Sequence, residues 1–218
     1  MKKDFWLESW EQKEIGFHQD SLNPYLSQYW PQLHATPDSQ VFVPLCGKSR
    51  DMLWLREQDQ RVLGVELSHI AVHAFFEENG YIPQHDTLEK FDRYIANGIS
   101  ILSGDFFDLS KDDLAGVSVV YDRASLVALP PEMRQRYARH LASILSPGTK
   151  TLLITFDYPQ IEMQGPPFSV TTDEVEALYR EHADVNLLAQ LDVLSINPHF
   201  QERGLSTLRE NIFLLTLK

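Results

Sequence analysis

The chain has 218 residues, enough for one sizeable core and short of two comfortable ones. With 43% hydrophobic and 23% charged residues it sits near globular averages, which excludes collagen-like, coiled-coil and disordered classes. Nineteen basic side chains against 31 acidic ones give a net charge of −12, a field that repels phosphate backbones and anionic lipid, so neither nucleic acid nor a membrane is an expected partner.

The first residues, Met1-Lys2-Lys3-Asp4, are followed by no apolar run, so no secretory signal is expected. No stretch reaches the ~18 apolar residues of a membrane span. Residues 4–30 read as a helical arm, with Asp4 as a cap and Trp6 and Trp10 four apart on one face. Asn23-Pro24 interrupts it, and Tyr25 to Trp30 resumes. Val41 to Leu45 has the length and composition of a buried strand, and residues 49–57 follow as a helix. Arg61 to Glu66 is a second strand ending in an acid. Ser68 then caps a helix to Asn79, which Gly80 stops. Residues 83–98 are polar, with at most a short strand near Phe91–Tyr94. Strands follow at 99–102, 117–121 and 151–156. Pro131 opens a helix that places Met133, Tyr137, Leu141 and Ile144 along one face. Thr171 and Glu174 form a capping box, and 185–193 and 211–217 close the chain as strands.

Strand and helix alternate, which predicts an α/β fold with a parallel sheet covered on both faces. Nothing in composition marks a linker, so one domain is expected over 1–218, with residues 1–30 as arm and 40–218 as core. In such sheets ligands bind beyond the carboxyl ends of the strands. The first strand runs into Pro44-Leu45-Cys46-Gly47-Lys48-Ser49. A phosphate-binding loop would need a glycine where Phe42 stands, and a dinucleotide fingerprint would need paired glycines; no two of the ten glycines are two residues apart. Glu66 stands nineteen residues after Gly47, the distance at which an acid accepts from both hydroxyls of a ribose; it could equally cap the helix after Ser68. An acid there with a glycine-poor first loop favours an adenosyl ligand without pyrophosphate, and S-adenosylmethionine is the obvious one.

Asp105 and Phe106 follow the third strand, where an acid and an aromatic can hold an adenine edge and face; one or both of Phe106 and Phe107 also belong to the core. Arg123, after Tyr121-Asp122, can clamp a carboxylate or simply pair with Asp122. Trp6, Trp10 and Phe17-His18 either staple the arm or form a lid facing a sulfonium. Gly165-Pro166-Pro167-Phe168 is a stiff turn that walls a substrate pocket or merely ends a strand. His69 and His73 lack the glutamate of a zinc protease motif, so no metal is expected. The one cysteine, Cys46, makes an internal disulfide impossible, fits a reducing cytoplasm, and reads as a pocket thiol rather than a nucleophile.

Together these segments resemble the thiopurine S-methyltransferase family. They are Trp10 with Phe17-His18-Gln19, Val43 to Ser49, Val62 to Ser68, Asp105 to Leu109, Tyr121 to Ala124 with Val127 to Leu129, and Gly165 to Phe168. The Pro-Leu-Cys-Gly-Lys turn is distinctive. The resemblance implies a class I S-adenosylmethionine-dependent methyltransferase, Rossmann-like, with a seven-stranded mostly parallel sheet, an antiparallel last strand and an N-terminal helical lid. It implies S-adenosyl-L-methionine as methyl donor, with Trp10, Leu45, Glu66, Asp105, Phe106 and Arg123 at cofactor-contact positions, Arg123 also a candidate for positioning in catalysis, and Phe17 near the acceptor. A small aromatic thiol is the expected acceptor. Selenium or tellurium species are alternatives, as is a binding module without catalysis; a nicotinamide oxidoreductase lacks its glycine pattern. The protein is expected to be cytoplasmic and monomeric.

Overall fold

A computed structural model describes residues 3–15 and 18–218. The chain forms two compact units, Met1–Tyr121 and Asp122–Lys218. Nine strands form among the described residues, two more than the seven expected.

In the first unit the arm is two short helices, α1 (Lys3–Glu11) and α2 (Pro24–Tyr29). Asn23 is extended and its side chain accepts the Tyr25 amide at 3.0 Å, while Pro24 supplies a preset φ at the first helical position. β1 (Gln40–Val43) leads to α3 (Asp51–Glu57), β2 (Arg61–Glu66) to α4 (His69–Glu78), and β3 (Gln84–Thr87), β4 (Asp92–Ala96), β5 (Ile99–Ser103) and β6 (Val117–Arg123) follow. Ser68 caps α4 by accepting the Ala71 amide. The strand order within this unit is β3-β4-β5-β2-β1-β6. β1 pairs parallel with β2 and β6, and β2 with β5, so the strands carry near-continuous apolar runs buried on both faces. Phe42, Val65 and Ile101 of the strands and Met52, Leu55, Ala71 and Phe75 of the helices are all fully buried.

The two extra strands are the β3–β4 hairpin, antiparallel and joined to the edge of β5. β3 is Gln-His-Asp-Thr, exposed throughout. Cross-strand polar pairs hold it: Arg93 to Asp86 at 2.7 Å and Thr87 to Asp92 at 2.9 Å. β3 carries no apolar alternation, which is why sequence periodicity passes over it, while β4 overlaps the short strand expected near Phe91–Tyr94.

In the second unit, α5 (Pro131–Ile144), β7 (Lys150–Asp157), α6 (Thr172–Tyr179), β8 (Ala183–Asp192), α7 (Pro198–Glu202) and β9 (Arg209–Leu217) follow in order. β9 runs antiparallel between β7 and β8, as expected of the last strand. A small cluster of Tyr158, Met163, Val193, Leu205 and Leu208 packs the loops between these elements. No helix among the described residues is long and apolar enough to cross a membrane.

Candidate cofactor site

In the first unit the carboxyl ends of β1, β2 and β5 bring most of the expected residues together. After Val43 the chain turns sharply, with Leu45 at φ 44° and Gly47 at φ 52°. The left-handed conformation suits glycine at 47 and strains leucine at 45. A Cβ on Gly47 would lie 3.4 Å from Trp10 Cζ2, so the indole of α1 lies directly on this turn. Trp10 is buried, whereas Trp6 is half-buried and meets Phe5 edge-on.

Glu66 ends β2 with 7% of its surface exposed. The Gly47 amide donates to its Oε2 and the Ser68 amide to its Oε1, each at 2.8 Å. Capping and ligand binding therefore do not compete, because each carboxylate oxygen has a second lone pair for a further donor. Burial raises the Glu66 carboxyl above its ordinary range, and the Ser68, Gly47 and Leu67 amides pull it back. The Glu66 carbonyl also accepts the Gly104 amide at 2.8 Å, which sets the β2 exit against the β5 exit. There Asp105 caps a single turn by accepting the Phe107 amide at 3.0 Å. The Phe106 ring is buried and stacked on Phe42, centroids 6.5 Å apart, so its side chain belongs to the core and its backbone to the turn.

Cys46 faces inward. A Cβ on Gly64 would meet its Sγ at 2.7 Å, so β2 must carry glycine where the thiol packs. Burial first, and Glu66 second, push that thiol well above its usual range, which removes it as a nucleophile.

Two supporting residues, Asp51 and Arg50, gave no signal in the sequence. Asp51, buried at the start of α3, accepts the Asn23 amide and the Tyr121 hydroxyl, each at 2.9 Å. Lys48 pairs with Glu78 at 2.6 Å and Arg50 donates to the Asp20 carbonyl at 2.8 Å, tying the turn to α4 and to the end of the arm. The His18 imidazole lies 3.2 Å from Asp20 and is lowered from its ordinary value by burial and by Lys48, against Asp20 and Glu78. Phe17, expected near the acceptor, lies outside the described residues.

Arg123, half-buried, ends β6 in the second unit. The turn after it is fixed by Asp122, fully buried, which accepts the Leu126 amide at 3.3 Å and the Tyr137 hydroxyl at 2.8 Å. Ala124 takes a positive φ of 63° to make the corner. Burial raises the Asp122 carboxyl from 3.8 to about 6, despite hydrogen bonds from Tyr137, Leu126 and Ser125 that favour its charged form. The Gly165–Phe168 turn contains two cis peptide bonds, Gly165-Pro166 and Pro166-Pro167, and the Phe168 amide donates to the Val127 carbonyl at 2.7 Å.

Solved structures share this fold. A S-adenosylmethionine-dependent methyltransferase from Anabaena variabilis matches with a TM-score of 0.67 at 14% identity, over 99% of this chain and 95% of that one. A Burkholderia thailandensis 1,6-didemethyltoxoflavin-N1-methyltransferase matches with a TM-score of 0.63 at 14% identity, over 99% and 86%. In sequence, a Nitrosospira multiformis protein named thiopurine S-methyltransferase is 66% identical over 215 residues, 99% of this chain and 98% of its own. Another of that name from Pseudomonas paraeruginosa is 50% identical over 99% of both chains. The family model described as thiopurine S-methyltransferase spans residues 1–218, and the chain belongs to that family.

Proposed function

We infer that the protein moves a methyl group from S-adenosylmethionine to the thiol sulfur of thiopurine-type heterocycles. The observation that carries the cofactor assignment is the Glu66 carboxylate at the end of β2, braced by the Gly47 and Ser68 amides beneath Trp10. The donor set fits: a buried acid for ribose hydroxyls, a turn held at the positive φ that glycine favours, and an indole over that turn.

Bound S-adenosylmethionine supplies an activated sulfonium methyl, so the acceptor sulfur forms a new S–C bond as the sulfonium C–S bond breaks and its electron pair stays on the departing sulfur. The protein needs no nucleophile of its own, only alignment and exclusion of water. In this reading Glu66 holds the ribose, Trp10 and Leu45 wall the methionine side, and Asp105 with the Phe106 backbone borders the adenine. Arg123 is assigned to holding the cofactor and favouring an anionic acceptor, and Phe17 is the residue that the family resemblance assigns to the acceptor. Aromatic thiols ionise near neutral pH, so little base catalysis is required. The chain acts as a single methyltransferase domain with the arm as its lid. Its charge of −12 supports a monomer with no nucleic-acid partner, and its single cysteine fits a reducing cytoplasm.

The test is a single-turnover reaction with S-adenosylmethionine and 6-mercaptopurine, reading S-adenosylhomocysteine. Stoichiometric product is expected. Cofactor binding without product would overturn the acceptor assignment, and no binding would overturn the site.

A further inference from the structure

Arg134 took no part in any motif, yet it is the largest fully buried side chain among the described residues. It lies on the inward face of α5, three and four residues before the buried Tyr137 and Ala138. Desolvating a guanidinium is costly, and an apolar residue would fill this position without that cost. What offsets it is a set of specific partners in three segments. Nε donates to the Leu129 carbonyl at 2.8 Å, just after the turn Leu126–Ala128. Nη1 donates to both oxygens of Glu174, in the first turn of α6, at 2.7 Å each. The guanidinium carbon lies 5.7 Å from the centre of the Phe168 ring, within cation–π range. Nη2 is buried without a hydrogen-bond partner among the described residues, so the group is not placed by hydrogen bonding alone.

Phe168 is thereby held from several sides. Its amide is bonded to Val127, its ring lies against Arg134, and a Cβ on Gly165 would sit 2.5 Å from that ring. The glycine at φ 77° lets the turn fold onto the ring. Val127 and Leu129, whose carbonyls accept from Phe168 and Arg134, belong to one short segment.

We propose that Arg134 is a positioning residue that fixes the Phe168 ring and the 127–129 segment as one wall, and so sets which thiols are accepted. This rests on the proposed methylation of a thiol and takes the first of the two readings of the Gly165–Phe168 turn, the wall of a substrate pocket. A lysine cannot replace it, because one ammonium cannot match the fork to Glu174 and the carbonyl at once.

The single variant Arg134→Met leaves Glu174 without its cation and is a poor test of anything but folding. The double variant Arg134→Met/Glu174→Leu removes both charges and is expected to fold. In it, hydrogen exchange of a peptide covering 165–170 should rise at least tenfold. KM for 6-mercaptopurine should rise at least fivefold, with kcat and the S-adenosylmethionine Kd within twofold. The kcat/KM ratio of 6-mercaptopurine to thiophenol should shift at least fivefold, and Phe168→Leu should shift it the same way. Unchanged exchange in the folded double variant overturns the proposal even if the wild-type chain methylates neither thiol, an outcome that would separately sink the acceptor reading. Changed exchange with an unchanged ratio, or a parallel fall in cofactor affinity, also overturns it.

Discussion

The Glu66 carboxylate accepts the Gly47 amide at 2.8 Å, so the first strand's turn and the second strand's end are one object. Truncation to Glu66→Ala should therefore have two effects. Cofactor affinity should fall by about 1–3 kcal/mol through lost ribose bonds, and stability should fall by a similar amount because two amides lose their acceptor. Calorimetry and urea denaturation separate them. An unaltered cofactor affinity in a folded variant would count against the ribose assignment.

Arg123→Ala should lower turnover and weaken cofactor binding, each by about tenfold or more, equivalent to ~1.4 kcal/mol. Arg123→Lys keeps the charge without the fork and should recover only part of it. If both variants bind and turn over as the parent does, the residue has another task.

Asp51 is a structural counterpart to Glu66, joining the Asn23 amide to the Tyr121 hydroxyl. Replacement by alanine leaves two buried donors without their acceptor and should cost about 2–4 kcal/mol of stability. Asp51→Asn, which keeps one acceptor oxygen, should fall between. Hydrogen exchange at Asn23 itself should rise in both variants if the bond matters to the arm.

Asp122 gives a pH signature. Its carboxyl titrates near 6 in the fold against an ordinary 3.8, with burial as the main cause. Between these values the folded chain holds a proton that the unfolded chain has lost, so this group favours folding at low pH and the advantage drains away as pH rises from about 4 to 6. Asp122→Asn has no such group. The wild-type stability minus that of the variant should therefore drop by about 2 kcal/mol between pH 4 and 7, most of the full linkage value for a displacement of this size. The facing Tyr137 and Tyr179 hydroxyls, both held well above their ordinary range by burial and then by Asp122, stay neutral throughout and do not obscure the difference. A pH-independent difference would mean that Asp122 ionises in the fold as it does in water.

The parallel strands were legible because each is a short apolar run closed by a turn, and Ser68 and Thr171 marked helix starts through local hydrogen bonds that sequence can encode. Glu66 was legible as a spacing. What the spacing could not say is that the same carboxylate serves Gly47 and Ser68 as well. Asp51 and Arg134 were not legible, since the partners of Asp51 lie 28 and 70 residues away and the carboxylate that pairs with Arg134 lies 40 away, and nothing local distinguishes them from surface charges. The residues from 194 to 206, with α7 among them, lack any repeating apolar pattern; Leu205 is fixed there by packing with Tyr158, Met163 and Val193.

The β3–β4 hairpin carries a consequence for the behaviour of the chain in concentrated solution. Without it, β5, with buried Ile99 and Ile101, would be the sheet's outermost strand and would offer a row of unpaired backbone groups beside apolar side chains. Such an edge recruits strands from other chains. With the hairpin in place the outermost strand is four exposed polar residues, its aspartate already engaged by Arg93. The polar β3 that periodicity overlooks is thus a guard against self-adhesion, and shortening the chain here to remove the hairpin would trade two marginal strands for a tendency to precipitate.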